Sequence, residues 1–275
     1  MPLQRVGDIE LFYEFVDCTE PWKAGPAPVL FIHGLGGDYR MWLYQVPAFC
    51  GRFPTLAVDL RGHGCSTKPA ADFGMDELAR DLVRLLRTLG AERAHLVGCS
   101  LGGMVAQQFA LDYPQATASL VLADTLCGPP PGAAGEPFDT AVRLGLQFIK
   151  DNTMSEIART RITNAFSDTI DPVVRDYLID RIAQNDKPNY MRAARAAFGF
   201  SVRERLGALR VPTLIVVGDE DRVTPPFLSD DLVAAIPGAR LHRLAGAGHI
   251  SNIERPEAFN HAVLEFLGEI EGTGR

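Results

Sequence analysis

The pentapeptide Gly98-Cys99-Ser100-Leu101-Gly102 has the pattern G-x-S-x-G, and it stands between a strand-like run and a helix-like run. Residues 94–97 are mainly apolar, and residues 103–110 suit a helix. Such a tight turn strains the backbone at the serine, and the glycines allow the strand and the helix to approach each other. We therefore predict an exposed Ser100 hydroxyl at a helix N-terminus, where free N–H groups favour a developing anion. The alternative is a glycine-rich turn that contains an incidental serine.

A serine hydroxyl is a weak nucleophile, so it needs a base that is itself held in place. His249 ends the glycine-rich segment Ala245-Gly246-Ala247-Gly248-His249, between the last predicted strand and the last predicted helix. His95 and His242 lie in predicted strands, and His261 lies on the exposed side of a predicted helix. His249 is therefore the predicted base.

The acid that orients this base is expected after a strand, with the chain order Ser, Asp, His. Asp221 follows the apolar run 214–217, in the segment Gly218-Asp219-Glu220-Asp221. Asp124 also ends a predicted strand and remains the alternative. Asp219 suits a turn, and Asp59 precedes Ser100 in the chain, which is the wrong order. Asp221 is the predicted acid.

An oxyanion needs two N–H donors aimed at the same point. One is expected from Leu101, which follows the predicted nucleophile. The second is expected from the loop His33-Gly34-Leu35-Gly36-Gly37, after the apolar run 29–32. Leu35 is the predicted donor, with Gly36 as the alternative, and His33 is predicted to shape the loop. Because glycines leave room beside the backbone, a ligand can approach such a loop closely.

Strand-like runs alternate with amphipathic stretches along most of the chain, which favours an α/β fold with a mostly parallel sheet. Residues 76–89 and 256–267 carry apolar residues at helical spacing. Residues 126–205 break the alternation, since they contain four helix-like stretches and no convincing strand. We predict a core of residues 1–125 and 206–275 with an inserted helical segment at 126–205. A misread pair of crossover connections is the alternative.

Composition excludes several classes of function. The 275 residues include 27 Lys and Arg against 34 Asp and Glu, a net charge of −7. Such an acidic chain, with scattered basic residues, does not suit nucleic-acid binding. No apolar run approaches the roughly 18 residues of a membrane span. The 5 cysteines are odd in number and widely spaced, which disfavours a disulfide framework or a zinc site. We expect a soluble, cytoplasmic protein without nucleic-acid, membrane or metal partners.

Three further segments complete a resemblance to the α/β-hydrolase superfamily. Residues 59–66 match D-x-R-G-x-G-x-S, residues 218–221 match G-x-x-D, and residues 248–256 match G-H-x-x-x-x-E-x-P. The resemblance implies an eight-stranded, mostly parallel sheet flanked by helices, with residues 126–205 as a helical cap. It also implies a nucleophile elbow, an oxyanion hole and a Ser-His-Asp catalytic triad that requires no cofactor. A homodimer is compatible with this prediction.

Within that superfamily, the chain resembles the 3-oxoadipate enol-lactonase-like carboxylesterases. The similarity lies in Leu35-Gly36-Gly37, Met41-Trp42, Gln45 and Gly102-Gly103-Met104-Val105. It implies a serine hydrolase that acts on a small-molecule ester or lactone. A C–C bond hydrolase, a cofactor-free perhydrolase or an acyltransferase could use the same triad, and a non-catalytic ligand-binding protein is a further alternative.

Substrate-binding residues are expected in the loops above the sheet and in the cap. Trp42 and Val223 follow predicted strands and are predicted to line the pocket. Arg161, Arg192 and Arg195 are candidates for binding a substrate carboxylate. The alternative for these arginines is a solvated helix surface.

Overall fold

The computed structural model describes residues 2–20, 25–130, 136–167 and 170–272. Its centre is an eight-stranded sheet, and the strands are β1 (Leu3–Val6), β2 (Ile9–Val16), β3 (Val29–Ile32), β4 (Thr55–Val58), β5 (Ala94–Cys99), β6 (Thr117–Ala123), β7 (Thr213–Gly218) and β8 (Arg240–Leu244). The order in the sheet is β1-β2-β4-β3-β5-β6-β7-β8. β2 is antiparallel to both of its neighbours, and the other pairs are parallel. The predicted α/β fold with a mostly parallel eight-stranded sheet is confirmed.

The interior strands are apolar on both faces because helices cover both faces of the sheet. Every residue of β3, β4, β5, β6 and β7 is buried, as expected for parallel strands between two layers. β8 lies at the edge and exposes Arg240, His242 and Arg243. Charged side chains on an edge strand discourage pairing with another chain.

The helices are α1 (Val46–Phe49), α2 (Met75–Thr88), α3 (Leu101–Asp112), α4 (Glu136–Asp151), α5 (Met154–Ala165), α6 (Pro172–Ala183), α7 (Lys187–Phe198), α8 (Pro226–Ala235), α9 (Ser251–Glu254) and α10 (Pro256–Ile270). Two of them, α2 and α10, are the helices predicted at 76–89 and 256–267. In α10 the buried side chains of Phe259, Val263 and Phe266 recur at helical spacing. Proline at the first position suits this start, because a first-turn N–H has no partner within the helix.

The four helices predicted within residues 126–205 are present as α4, α5, α6 and α7, which follow β6 and precede β7 in the chain. Their buried side chains Ile157, Ile162 and Tyr190 join the same apolar cluster as Phe31 of β3 and Phe259 of α10. The inserted helices therefore pack directly on the core. The division into a core of 1–125 and 206–275 and a cap of 126–205 stays a prediction, and residues 131–135 and 168–169 of that segment lie outside the described residues.

Within the described ranges, no helix is both long enough and apolar enough to span a membrane.

Candidate active site

Ser100 lies at the sharp turn between β5 and α3. Its backbone has φ 53° and ψ −118°, in a region that residues with side chains rarely adopt. A Cβ atom at Gly98 would lie 2.3 Å from the carbonyl oxygen of Gly102, and one at Gly102 would lie 2.0 Å from that of Ile32. Both positions therefore require glycine, and the close contact of helix and strand fixes the turn that presents Ser100.

The structure brings Ser100, His249 and Asp221 into one hydrogen-bonded chain. The Ser100 Oγ lies 2.9 Å from Nε2 of His249. On the other side of the imidazole ring, Nδ1 lies 2.9 Å from Oδ2 of Asp221. With the proton on Nδ1 donated to the carboxylate, Nε2 is left to accept the proton of the serine hydroxyl. This is the geometry that activation of a serine nucleophile requires.

Asp221 is held by its own loop as well as by His249. Its Oδ1 accepts hydrogen bonds from the backbone N–H groups of Val223 and Thr224, both at 2.8 Å. Its Oδ2 accepts a third from the Thr224 hydroxyl at 2.7 Å. Burial alone would raise the pKa of Asp221, but the hydrogen bonds and charge of His249 and the hydrogen bonds of Thr224 lower it below its ordinary value. The carboxylate is therefore stabilised in its ionised form.

Thr224 was not singled out in the sequence, although its position three residues after Asp221 is a signal. The Thr224 hydroxyl also lies 3.1 Å from Nδ1 of His249, so it contacts both members of the pair. An Asp whose side chain accepts from the backbone two and three residues later is a common turn motif. That local pattern, combined with a Thr at the third position, could have identified this positioning group.

Asp124, the alternative acid, has a different set of partners. One carboxylate oxygen accepts from the backbone N–H of Gly218 at 3.0 Å. The other accepts from the backbone N–H and the hydroxyl of Ser251, at 3.0 and 2.6 Å. Burial and the nearby charge of Asp221 raise the pKa of Asp124 to about 7. Asp124 therefore joins the ends of β6 and β7 to the start of α9.

The other two carboxylates considered for the acid also have structural partners. Asp59 accepts from the backbone N–H groups of Tyr39 and Cys65, each at 2.7 Å. Asp219 accepts from the backbone N–H of Gly246 at 2.7 Å. Both carboxylates hold loops together, away from the imidazole of His249.

The two predicted oxyanion donors lie beside Ser100. Leu35, Leu101 and Ser100 line the same cavity. In the described part of the chain, the backbone N–H groups of Leu35 and Leu101 have no protein acceptor. His33 shapes the loop as predicted, because its Nε2 accepts from the backbone N–H of Leu60 at 3.0 Å and its Nδ1 lies 2.7 Å from the carbonyl oxygen of Gly34.

Two mainly apolar cavities meet at Ser100. The larger has a volume of about 320 Å³ and is lined by the loop after β3, the loop around His249 and the helices α4, α5 and α6. The smaller has a volume of about 240 Å³ and extends between α3, α4 and α7. Leu35, Ser100, Arg161, Phe198 and Val223 border both cavities. Ser100 therefore lies between two cavities of similar size.

A family model described as the alpha/beta hydrolase fold matches residues 27–256. The chain belongs to the α/β-hydrolase family. The 3-oxoadipate enol-lactonase 2 of Acinetobacter baylyi is 30% identical over 244 residues, which cover 88% of each chain. The solved enol-lactonase from Burkholderia xenovorans LB400 has a TM-score of 0.83 and 31% identity, and covers 97% of this chain and 99% of its own. A thermophilic esterase from Thermogutta terrifontis, solved with malate bound, has a TM-score of 0.85, 28% identity and coverage of 95% and 94%.

In this α/β-hydrolase, one of the two predicted pocket residues is placed as expected and the other is not. Val223 lines both cavities beside Ser100. Trp42 does not line either cavity, so that prediction is wrong. Its side chain is fully buried, and its ring packs 4.9 Å from that of Phe31 and 6.4 Å from that of Phe259, measured between ring centroids. The short 3₁₀ turn Tyr39–Trp42 directs the indole into the core, while Met41 lines the larger cavity.

Proposed function

We propose that this α/β-hydrolase cleaves a carboxylic ester or lactone by transferring the acyl group first to Ser100 and then to water. The observation that carries the proposal is the hydrogen-bonded series from Asp221 through His249 to Ser100. The distance is 2.9 Å both from Oδ2 of Asp221 to Nδ1 of His249 and from Nε2 of His249 to Oγ of Ser100. Relatives named as enol-lactonase and esterase support the same class of bond.

The first half of the reaction forms the acyl-enzyme. The Ser100 Oγ attacks the substrate carbonyl carbon while Nε2 of His249 takes the hydroxyl proton. The negative charge that develops on the carbonyl oxygen is stabilised by the N–H groups of Leu35 and Leu101, which have no other protein acceptor in the described part of the chain. Asp221 stabilises the imidazolium that forms. The bond to the leaving group then breaks, and His249 returns the proton to the leaving oxygen.

The second half releases the acid. Water replaces the leaving group beside His249, gives up a proton to Nε2 and attacks the acyl carbon. The C–O bond to Ser100 breaks, and the proton returns to the Ser100 oxygen. In a lactone both fragments stay joined, so the product is a single hydroxy acid.

The two cavities suit the two halves of such a substrate. Volumes of about 320 and 240 Å³ leave room for a small acyl group on one side of Ser100 and a small leaving group on the other. Their linings are mainly apolar, with side chains such as Phe148, Ile149 and Ile253 around the larger cavity. Small esters and lactones fit this arrangement better than polymeric substrates.

Hydrolysis of p-nitrophenyl acetate by the wild type, Ser100→Ala and His249→Ala tests the proposal. We expect wild-type release of nitrophenolate and acetate, and a fall of about a thousandfold or more in kcat for each variant. Circular dichroism checks that the variants are folded. A folded Ser100→Ala variant with wild-type activity would reject the proposal.

A further inference from the structure

Positively charged groups outnumber negatively charged groups around the larger cavity. Three arginines, Arg40, Arg161 and Arg181, and one aspartate, Asp38, border it among the described residues. This excess of positive charge contrasts with the chain as a whole, whose net charge is −7. The cavity is therefore locally basic in an acidic protein, and such a cavity attracts anions.

Two of these arginines already have an anionic partner. Arg181 Nη2 lies 2.7 Å from Oδ2 of Asp38, and Arg40 Nη1 lies 3.1 Å from the same oxygen. The two guanidinium groups share one mostly buried carboxylate. Together they tie α6 to the loop after β3, so their role in the structure is already explained.

Arg161 differs from them. In the described part of the chain, its guanidinium makes neither an ion pair nor a hydrogen bond. The group is instead placed by stacking, since its Cζ lies 5.6 Å from the ring centroid of Tyr190, a fully buried side chain. Arg161 borders both cavities, as Ser100 does. A cation that has no counter-charge among the described residues therefore lies in the same space as Ser100.

Neighbouring donors on α5 extend this positive site. Thr160 and Asn164 also line the larger cavity. Asn164 is three residues after Arg161, and residues three apart on a helix lie side by side. An Asn amide donates two hydrogen bonds and a Thr hydroxyl donates one. A planar guanidinium flanked by such donors matches the geometry of a carboxylate, which accepts several hydrogen bonds in one plane.

We infer that Arg161 is a substrate-binding residue and that the natural ester or lactone carries a carboxylate. The inference rests on the proposed function, because it concerns the substrate of the same site. Since Arg161 borders both cavities, the carboxylate is on either the acyl part or the leaving group. A solvated Arg161 with no role in binding is the competing interpretation.

Two pairs of ester substrates test the inference and locate the carboxylate. The acyl pair is mono-p-nitrophenyl glutarate and p-nitrophenyl hexanoate, with spontaneous hydrolysis subtracted. The leaving-group pair is 4-acetoxybenzoate and its methyl ester. For each pair, kcat/KM for the anionic ester is divided by kcat/KM for the neutral ester, and this ratio is measured in the wild type and the variants. Because the same two esters are used throughout, the difference in their chemical reactivity cancels when the ratios are compared.

The variants are Arg161→Gln, Arg161→Lys and the control Arg159→Gln. Arg159 lies on the same helix, is exposed and lines neither cavity. We expect Arg161→Gln to lower the anionic-to-neutral ratio by about 10- to 100-fold in one of the two pairs. Arg161→Lys should recover part of this loss because it keeps the charge, and Arg159→Gln should match the wild type.

The outcomes separate the two proposals. If neutral esters are hydrolysed only when Ser100 is present, and the ratio is the same in Arg161→Gln, Arg159→Gln and the wild type, the inference fails and the proposed function stands. If the wild type hydrolyses no ester of either pair, the proposed function fails, and the inference fails with it. A fall in the ratio in Arg161→Gln alone supports both.

Discussion

The carboxylate of Asp221 and the imidazole of His249 meet at 2.9 Å, between Oδ2 and Nδ1, although the residues are 28 positions apart in the chain. The second candidate acid, Asp124, is instead bound to Gly218 and Ser251. The two aspartates should therefore respond differently to the same substitution.

Asp221→Asn should reduce kcat on p-nitrophenyl acetate by about a thousandfold or more, because an amide that donates to Nδ1 favours the wrong imidazole tautomer. Asp124→Asn should retain much more activity and mainly lower stability, since its partners are backbone and serine groups. Steady-state kinetics and urea unfolding of both variants check this. The reverse pattern, with activity lost in Asp124→Asn and kept in Asp221→Asn, would reject the assignment of the acid.

Thr224→Val should lower kcat by roughly 3- to 30-fold with little change in KM, because the lost hydroxyl removes one hydrogen bond from Asp221 and one contact from His249. Removing a donor to the ionised carboxylate also raises the pKa of Asp221, so its protonation should begin at higher pH. Thr224→Ser retains the hydroxyl and should recover the activity. If Val and Ser behave alike, Thr224 acts only through packing.

Gly98→Ala should destabilise the fold by about 2 to 4 kcal/mol, because the new Cβ would lie 2.3 Å from a backbone oxygen of Gly102. Gly207→Ala is the matched control, since no atom of the described residues lies within 4 Å of its added Cβ, and it should change stability by less than about 1 kcal/mol. Urea unfolding measures both. Equal stability of the two variants would contradict the close approach of β5 and α3.

The pKa of Asp124, raised to about 7 by burial and the charge of Asp221, makes stability depend on pH. Between the unfolded pKa near 4 and about 7, the native state holds a proton that the unfolded state has lost, so stability falls as pH rises through this window. Asp124→Asn removes this dependence.

From pH 4.5 to pH 7.5, the unfolding free energy of the wild type should therefore fall relative to that of Asp124→Asn. Urea unfolding at several pH values in this window measures it. The raised pKa would be contradicted if this difference in unfolding free energy stayed constant with pH, or if the wild type became more stable relative to Asp124→Asn.

Local sequence patterns were sufficient to predict those residues of the candidate site whose positions each depend on a single turn. Ser100 lies in a glycine-bounded turn, and Asp221 and His249 each follow a strand end, so topology alone brings them to one edge of the sheet. The four residues of β1 show no alternation, and the strand is ordered by pairing with β2 and by packing against α2, which the local sequence does not show. Trp42 was misplaced because the direction of its ring depends on contacts with Phe31 and Phe259, which are distant in the chain.

The sequence also could not show that Arg161 lacks an ion-pair partner among the described residues. The sequence does not distinguish Arg161 from Arg192 and Arg195, since all three are arginines on predicted helices. Only the fold shows that Arg192 and Arg195 pair with Asp72. Charge partners are set by tertiary packing, so a sequence shows which residues are charged and not which of them lack a counter-charge.

Labelling with a fluorophosphonate probe tests the assignment of the nucleophile most directly. The Ser100 oxygen should displace fluoride and form a bond to phosphorus, so mass spectrometry should find one adduct per chain, on the peptide that contains Ser100. His249→Ala should label far more slowly, and Ser100→Ala should not label. An adduct on another residue, or ester hydrolysis at the wild-type rate by a folded Ser100→Ala variant, would contradict the assignment.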